Sequence, residues 1–245
     1  MSILSHVRRC ILEIPSRRDA KRLSHLFEEL RDYEVFVSSG IPDLKPQYEK
    51  YTKAISTPDM AVSLRTSQFL FVLAKAIDAR RILDLGSGFS SFVFRLYSMG
   101  VGKDAVVYSV DDNEKWLAKT RGFLGDLQVH EDFLLNWQSF RQSAPGNFDL
   151  IFHDLGNMAL RAQALPFVIS LLDAKGILVL DDMHKTGVGP SGGYPGVARR
   201  AVREAGLTLL SAHHYTLDRY KRFCEIAIRL PIEYGEPITR PAQKR

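Results

Sequence analysis

The stretch Arg81-Ile82-Leu83-Asp84-Leu85-Gly86-Ser87-Gly88-Phe89-Ser90-Ser91 decides the fold. A short apolar run carries an acid, breaks at two closely spaced glycines and restarts with serines that suit a helix start. This order builds a ligand-binding turn at the carboxyl end of a parallel strand. Gly86 and Gly88 carry no Cβ, so the backbone can turn sharply there and let a ligand come close. Ser90 or Ser91 can cap the following helix, whose first N–H groups then face the ligand.

Outward from this turn, apolar runs recur at Ile82–Leu85, Ala105–Val110, Phe148–Phe152 and Ile177–Leu180. Helix-like segments separate them at Ser91–Tyr97, Glu114–Phe123, Met158–Leu172 and Tyr194–Ala205, and a weaker strand is expected at Leu127–His130. Strands apolar on both faces that alternate with helices predict a mostly parallel sheet covered on both sides. Leu207–Tyr215 and Arg222–Leu230 are β-rich runs joined through Thr216–Lys221 with no helix between them, which predicts a terminal antiparallel hairpin. Upstream, Leu23, Leu26, Phe27 and Leu30 follow helical spacing over Asp19–Tyr33. Ser38–Gln47 reads as a loop, and a second helix is expected from Thr57-Pro58 to about Ala79.

The 245 residues suit one α/β domain with an extension or two small domains. The expected division is a helical cap over 1–60, a main domain over 61–234 and a tail over 235–245. No apolar run reaches membrane-span length, and Arg8, Arg9 and Cys10 interrupt any signal-peptide core. Two cysteines, Cys10 and Cys224, fit a reduced, cytoplasmic protein. The net charge of +5 comes from scattered basic pairs, which reads as a solvated surface and makes a nucleic-acid partner unlikely.

Two ligand classes compete for the glycine turn. A dinucleotide site expects G-x-G-x-x-G, and here Ser91 stands at the third glycine position. A Walker lysine, as an ATP site needs, is missing. The run Val107-Tyr108-Ser109-Val110-Asp111-Asp112 ends in acids, and Asp111 can accept both hydroxyls of a ribose. Asp84 can face an ammonium group. An adenosine with a cationic tail satisfies both. Asp112 reads as a helix N-cap or a solvated neighbour, with a second ribose ligand as the alternative.

Ile82–Ser91, Tyr108–Glu114, Phe148–Asp154 and Gly176–Asp182 together resemble the successive motifs of class I S-adenosylmethionine-dependent methyltransferases. The resemblance spans roughly 63–230 and implies a Rossmann-like α/β fold: a seven-stranded, mostly parallel sheet with a C-terminal antiparallel hairpin, preceded by N-terminal helices. It implies that Gly86, Ser87, Gly88 and Ser91 wrap the methionine part of S-adenosylmethionine and that Asp84 lies near its amino group. Asp111 would hold the ribose, Glu131 or Asp132 the adenine, and Ser63 would lie with Met60 and Leu64 near the methionine end. In this family the segment before the first strand often shapes acceptor specificity; alternatively Leu23, Leu26, Phe27 and Leu30 form a homodimer surface.

The resemblance also makes the strands ending in Asp154 and in Asp181-Asp182 neighbours, about 5 Å apart. Three clustered carboxylates need a cation or shared protons, and hard oxygen ligands suit Mg²⁺. The arrangement resembles the metal-dependent catechol and sugar O-methyltransferases, which implies that a metal on Asp154, Asp181 and Asp182 would hold an acceptor hydroxyl. Asn157 stands where the catechol enzymes carry a catalytic lysine. His184 and His153 are therefore the candidate bases, since imidazole titrates near neutral pH, with Lys185 a poorer one. Thr186–Gly196, with five glycines and two prolines, reads as a lid or acceptor loop in which Tyr194 packs on an acceptor ring. The function expected is methyl transfer to a small molecule, at a hydroxyl oxygen. The rivals are an RNA methyltransferase and a non-catalytic cofactor-binding protein of the same fold.

Overall fold

The computed structural model describes residues 16–102, 104–143, 145–184 and 193–230. Seven strands form one sheet in the order β3-β2-β1-β4-β5-β7-β6. They are β1 (Arg81–Leu85), β2 (Val106–Asp111), β3 (Leu134–Asn136), β4 (Phe148–His153), β5 (Leu172–Leu180), β6 (Thr208–Ser211) and β7 (Glu225–Ile228). β3, β2, β1, β4 and β5 pair parallel. β7 runs antiparallel to both β5 and β6. The seven-stranded sheet closed by an antiparallel hairpin is therefore present, and it follows from the runs being apolar on both faces. Ile82, Leu83 and Leu85 are buried, as are Leu150, Ile151 and Phe152.

Helices cover both faces: α4 (Leu64–Ala76), α5 (Phe89–Met99) and α6 (Glu114–Asp126), then α7 (Trp137–Ser143), α8 (Met158–Ser170) and α9 (Gly193–Glu204). One hydrophobic cluster joins α4 and α5 to the sheet and takes in Leu23, Leu30 and Tyr51 from the N-terminal helices. The other packs α8 and α9 on the opposite face through Leu165, Val168, Ala198 and Val202. No described helix is long and apolar enough to cross a membrane.

Several boundaries move. The helical spacing expected over Asp19–Tyr33 is divided among α1 (16–26), a 3₁₀ turn (Glu28–Leu30) and α2 (Tyr33–Ser39). Leu23 and Leu30 are buried in the chain's own core, so they are not available as a dimer surface. The expected loop ends early, because α3 (Lys45–Ala54) starts with Pro46 in its first turn. Pro58, expected to open a helix, lies in a turn instead. α4 starts at Leu64, where the Ser63 hydroxyl accepts from Thr66 N.

The third strand is Leu134–Asn136 and not Leu127–His130, because Leu127–Val129 closes α6 through Val129 N donating to Leu124 O. In the hairpin a short helix, α10 (His213–Thr216), takes the end of the run Leu207–Tyr215 expected as strand, so that β6 stops at Ser211. Most of the expected lid and the C-terminal tail fall outside the described residues, but Gly193–Gly196 belong to α9.

The N-terminal elements are tied to this hairpin. Tyr215 Oη donates to Ala20 O, Ser211 N donates to Asp19, and the Tyr215 ring stacks on Phe69. The Arg222 guanidinium donates to Asp59 O at 2.7 Å and Pro58 O at 3.1 Å while holding Asp218. These bonds fix Asp59–Val62 over the carboxyl edge of the sheet.

Candidate active site

The carboxyl ends of β1, β2, β4 and β5 open onto a cleft of about 620 Å³. It lies where β1 meets β4, the point at which strand order reverses and open α/β sheets bind ligands. Gly86 turns with φ 97°, and a Cβ there would overlap the Asp154 carbonyl. Only glycine permits both that φ and that approach. The turn is held from the β2 side: Ser87 N and Oγ donate to Asp111 Oδ2 at 2.8 and 3.1 Å, and Trp116 Nε1 donates to Ser87 O. Asn113 N donates to Asp111 Oδ1, and burial pushes the Asp111 carboxyl up against these donors. Asp111 thus reaches the cleft as expected, but it also anchors the glycine turn. Tyr51 of α3 forms part of the opposite wall, with its hydroxyl facing Gly88.

Gly86, Ser87, Gly88, Asp111 and Asp112 line the cleft together, with Ser90 among them. Asp112 is not a helix cap, since Asn113 caps α6 through its side-chain oxygen. Six residues named for the cofactor pocket, Ser63, Leu64, Asp84, Ser91, Glu131 and Asp132, are not in its lining. Asp84 is fully buried behind the turn, accepting from Ser91 Oγ at 2.5 Å and Ser109 Oγ at 3.1 Å. Burial pushes its carboxyl up to about 6 against those donors and Arg95. Ser91 therefore serves Asp84, and Ser90, which also hydrogen-bonds that carboxyl, is the one of the two that lines the cleft. The next position of a helix turns about 100°, which sequence alone could not resolve into in or out. Ser63 is spent on capping α4, and Asp132 is exposed, with its carbonyl accepting from Arg95 Nη2.

At the other end Asp154, Asp181 and Asp182 do converge. Between them stands a residue that sequence reasoning missed, Arg161 of α8, which is only 4% exposed. Its Nη2 meets Asp154 Oδ1 at 2.5 Å and its Nη1 meets Asp182 Oδ2 at 3.3 Å. Nη2 also donates to the Asp154 and Gly156 carbonyls. Burial, then Asp181 and Asp182, push the Asp154 carboxyl up against the pull of Arg161. Burial weakens the Arg161 charge, but the carboxylates outweigh it and raise its pKa. Asn157, at the position of the missing lysine, caps α8 by accepting from Ala159 N and Leu160 N. Arg161 lies one helical turn beyond it, on the same side of α8. That i, i+4 spacing after a strand end was the available signal.

The two candidate bases separate. His153 is fully buried, its Nε2 donates to Arg161 O, and burial pushes its pKa down to about 3. This neutral ring, tied to backbone, orders α8. His184 Nδ1 lies 3.6 Å from Asp182 Oδ1, beside the cleft carboxylates. Tyr194, expected against an acceptor, is buried, with Arg161 over its ring at 5.6 Å. Lys185 lies outside the described residues.

The two implied ligands fare differently. The glycine cradle, which a Cβ at Gly86 would fill, fits an adenosyl cofactor approached by backbone. The acceptor-end carboxylates do not fit a metal. Arg161 already engages Asp154 and Asp182, and Asp181 Oδ1 accepts from Asp182 N and Cys224 Sγ. Among the described residues no group of three or more His, Cys, Asp or Glu side chains is arranged to hold a metal ion.

No family model matches the chain, and no curated protein matches it. Solved structures do. Cofactor-bound Rv0187 from MTB is 23% identical with a TM-score of 0.58, over 80% of this chain and 95% of that one. The O-methyltransferase TomG from Streptomyces achromogenes, in complex with SAM, is 16% identical with a TM-score of 0.61, over 80% and 95%. The O-methyltransferase from Bacillus cereus, in complex with SAH, is 16% identical with a TM-score of 0.59, over 80% and 96%. The fold of this chain is the Rossmann-like fold of TomG and the Bacillus cereus O-methyltransferase.

Proposed function

We propose that this protein is an S-adenosylmethionine-dependent methyltransferase acting on a small molecule at a hydroxyl oxygen. The observation that carries the reading is the Gly86–Ser90 turn, clamped by Asp111 and Trp116 at the switch point and facing acids across one cleft. That the similar structures of TomG and the Bacillus cereus protein hold SAM or SAH supports it. The cleft volume falls within the range of small-molecule sites.

When bound, the cofactor supplies a methyl group already activated on a sulfonium. The chain then has to bind, orient and deprotonate. Gly86 and Ser90 hold the amino-acid end of the donor, and Asp111 and Asp112 face its ribose. Asp59–Val62, clasped by Arg222, close one side of the cleft, so that Met60 and Met158 offer apolar contact to an acceptor. The donor would supply the methyl carbon to the acceptor oxygen, its sulfur being the leaving group. His184, beside Asp182, takes the hydroxyl proton. Alignment supplies most of the rate, since the donor needs no further activation.

Calorimetric titration with S-adenosylhomocysteine tests the reading. The wild type should bind. Asp111→Ala, which removes two charge-assisted bonds to Ser87, should weaken binding by roughly 10-fold or more. No binding by the wild type refutes the assignment.

A further inference from the structure

Three carboxylates in one buried cleft demand a positive charge, and the chain supplies it from within. Arg161 is not a surface arginine that happens to swing nearby. Its guanidinium is pinned by the backbone carbonyls of Asp154 and Gly156 at 3.2 Å each, whatever the protonation of the acids. The Tyr194 ring lies beneath it at 5.6 Å, within cation–π range. Its helix is set by the Asn157 cap and by His153 Nε2 donating to the Arg161 carbonyl at 2.9 Å. Asp182 completes the arrangement from an unusual backbone, φ 57°, which aspartate tolerates better than most residues and which leaves its carboxylate 3.3 Å from Arg161 Nη1. A divalent ion on Asp154 and Asp182 would have to displace this guanidinium or sit against it, like charge to like charge.

We infer that Arg161 is the resident cation of the acceptor end, standing where a divalent ion would otherwise bridge Asp154 and Asp182. It is a positioning residue that makes methyl transfer by this chain independent of metal. The inference rests on the methyltransferase reading for its functional meaning, but its structural content is testable alone.

Mn²⁺ titration followed by electron paramagnetic resonance, on metal-stripped full-length protein, decides it. The wild type should show no saturable Mn²⁺ site below about 1 mM. Arg161→Met should gain one at least tenfold tighter, and adding Asp154→Asn should remove it. Arg161→Lys, which keeps the charge, should stay silent and bind S-adenosylhomocysteine as the wild type does. If circular dichroism finds Arg161→Met unfolded, the wild type and Arg161→Lys still decide between the outcomes. A one-equivalent wild-type site in the micromolar range, weakened tenfold or more by Asp154→Asn, overturns the inference. S-adenosylhomocysteine binding by the same samples separates the failures. Its loss refutes the methyltransferase reading, and a wild-type Mn²⁺ site refutes only the role of Arg161.

Discussion

Replacing Gly86 with alanine puts the central geometry at risk in a measurable way. Two costs add. The backbone at φ 97° lies where residues with a Cβ pay roughly 1–2 kcal/mol. The new Cβ would overlap the Asp154 carbonyl, which cannot easily retreat. Asp154 N donates to Leu85 O at 2.7 Å, and the Asp154 carbonyl accepts from Arg161. Forcing an extra carbon into such a packed place costs about 1–3 kcal/mol more. The sum, about 2–5 kcal/mol, is a large share of a typical domain's stability and corresponds to a melting shift on the order of 10 °C in a chain of this size.

The control is Gly122→Ala, in the exposed interior of α6, where a new Cβ meets nothing within 4 Å. That change should stabilise by about 0.5–1 kcal/mol. Urea unfolding of both variants measures the difference, and calorimetry with S-adenosylhomocysteine should show weaker binding for Gly86→Ala alone. If Gly86→Ala unfolds within about 0.5 kcal/mol of Gly122→Ala, the close approach of the turn to β4 does not exist as described.

Two further expectations follow from the titrating groups. His153→Leu should lower stability by about 1–3 kcal/mol through its lost bond to Arg161 O, yet leave the pH profile of the proposed methyl transfer in place. In the proposed reaction His184→Gln should lower the rate and remove the low-pH limb of the pH–rate profile, and profiles of the two variants giving the reverse pattern would exchange their roles. Asp84 has its carboxyl raised from 3.8 to about 6 by burial, so its contribution to stability is present below about pH 4 and is lost as pH rises through about 6. The loss amounts to roughly 3 kcal/mol. His153, depressed, acts with the opposite sign, so the measurement is the difference between wild type and Asp84→Asn. The variant should lack a fall of that size between about pH 4 and 6, and parallel curves would show that Asp84 titrates normally.

How much of this was legible beforehand divides along the reach of each interaction. The β1 turn, the acid ending β2 and the converging strand ends are local patterns. Strands buried on both faces must be apolar throughout, a bend against a neighbouring strand must be glycine, and both demands are written into consecutive residues. The boundaries near Pro46, Pro58 and Leu127–His130 shifted because proline and short apolar runs are compatible with two local structures. Packing of Tyr51 on Phe89 and Phe123 holds the helix that begins at Pro46, Arg222 holds Pro58 in its turn, and Val129 N closes α6 on Leu124 O.

The sequence by itself determined the parallel sheet, its closing hairpin and the glycine turn at the end of β1. Only the tertiary structure decided which of Ser90 and Ser91 lines the cleft, that His153 is tied to backbone, and that Arg161 stands among Asp154, Asp181 and Asp182. The reason is physical. A strand or turn is chosen by neighbours along the chain, whereas the partner of a buried charge is chosen by whichever group folding brings within about 3 Å, and spacing in sequence does not reveal that distance.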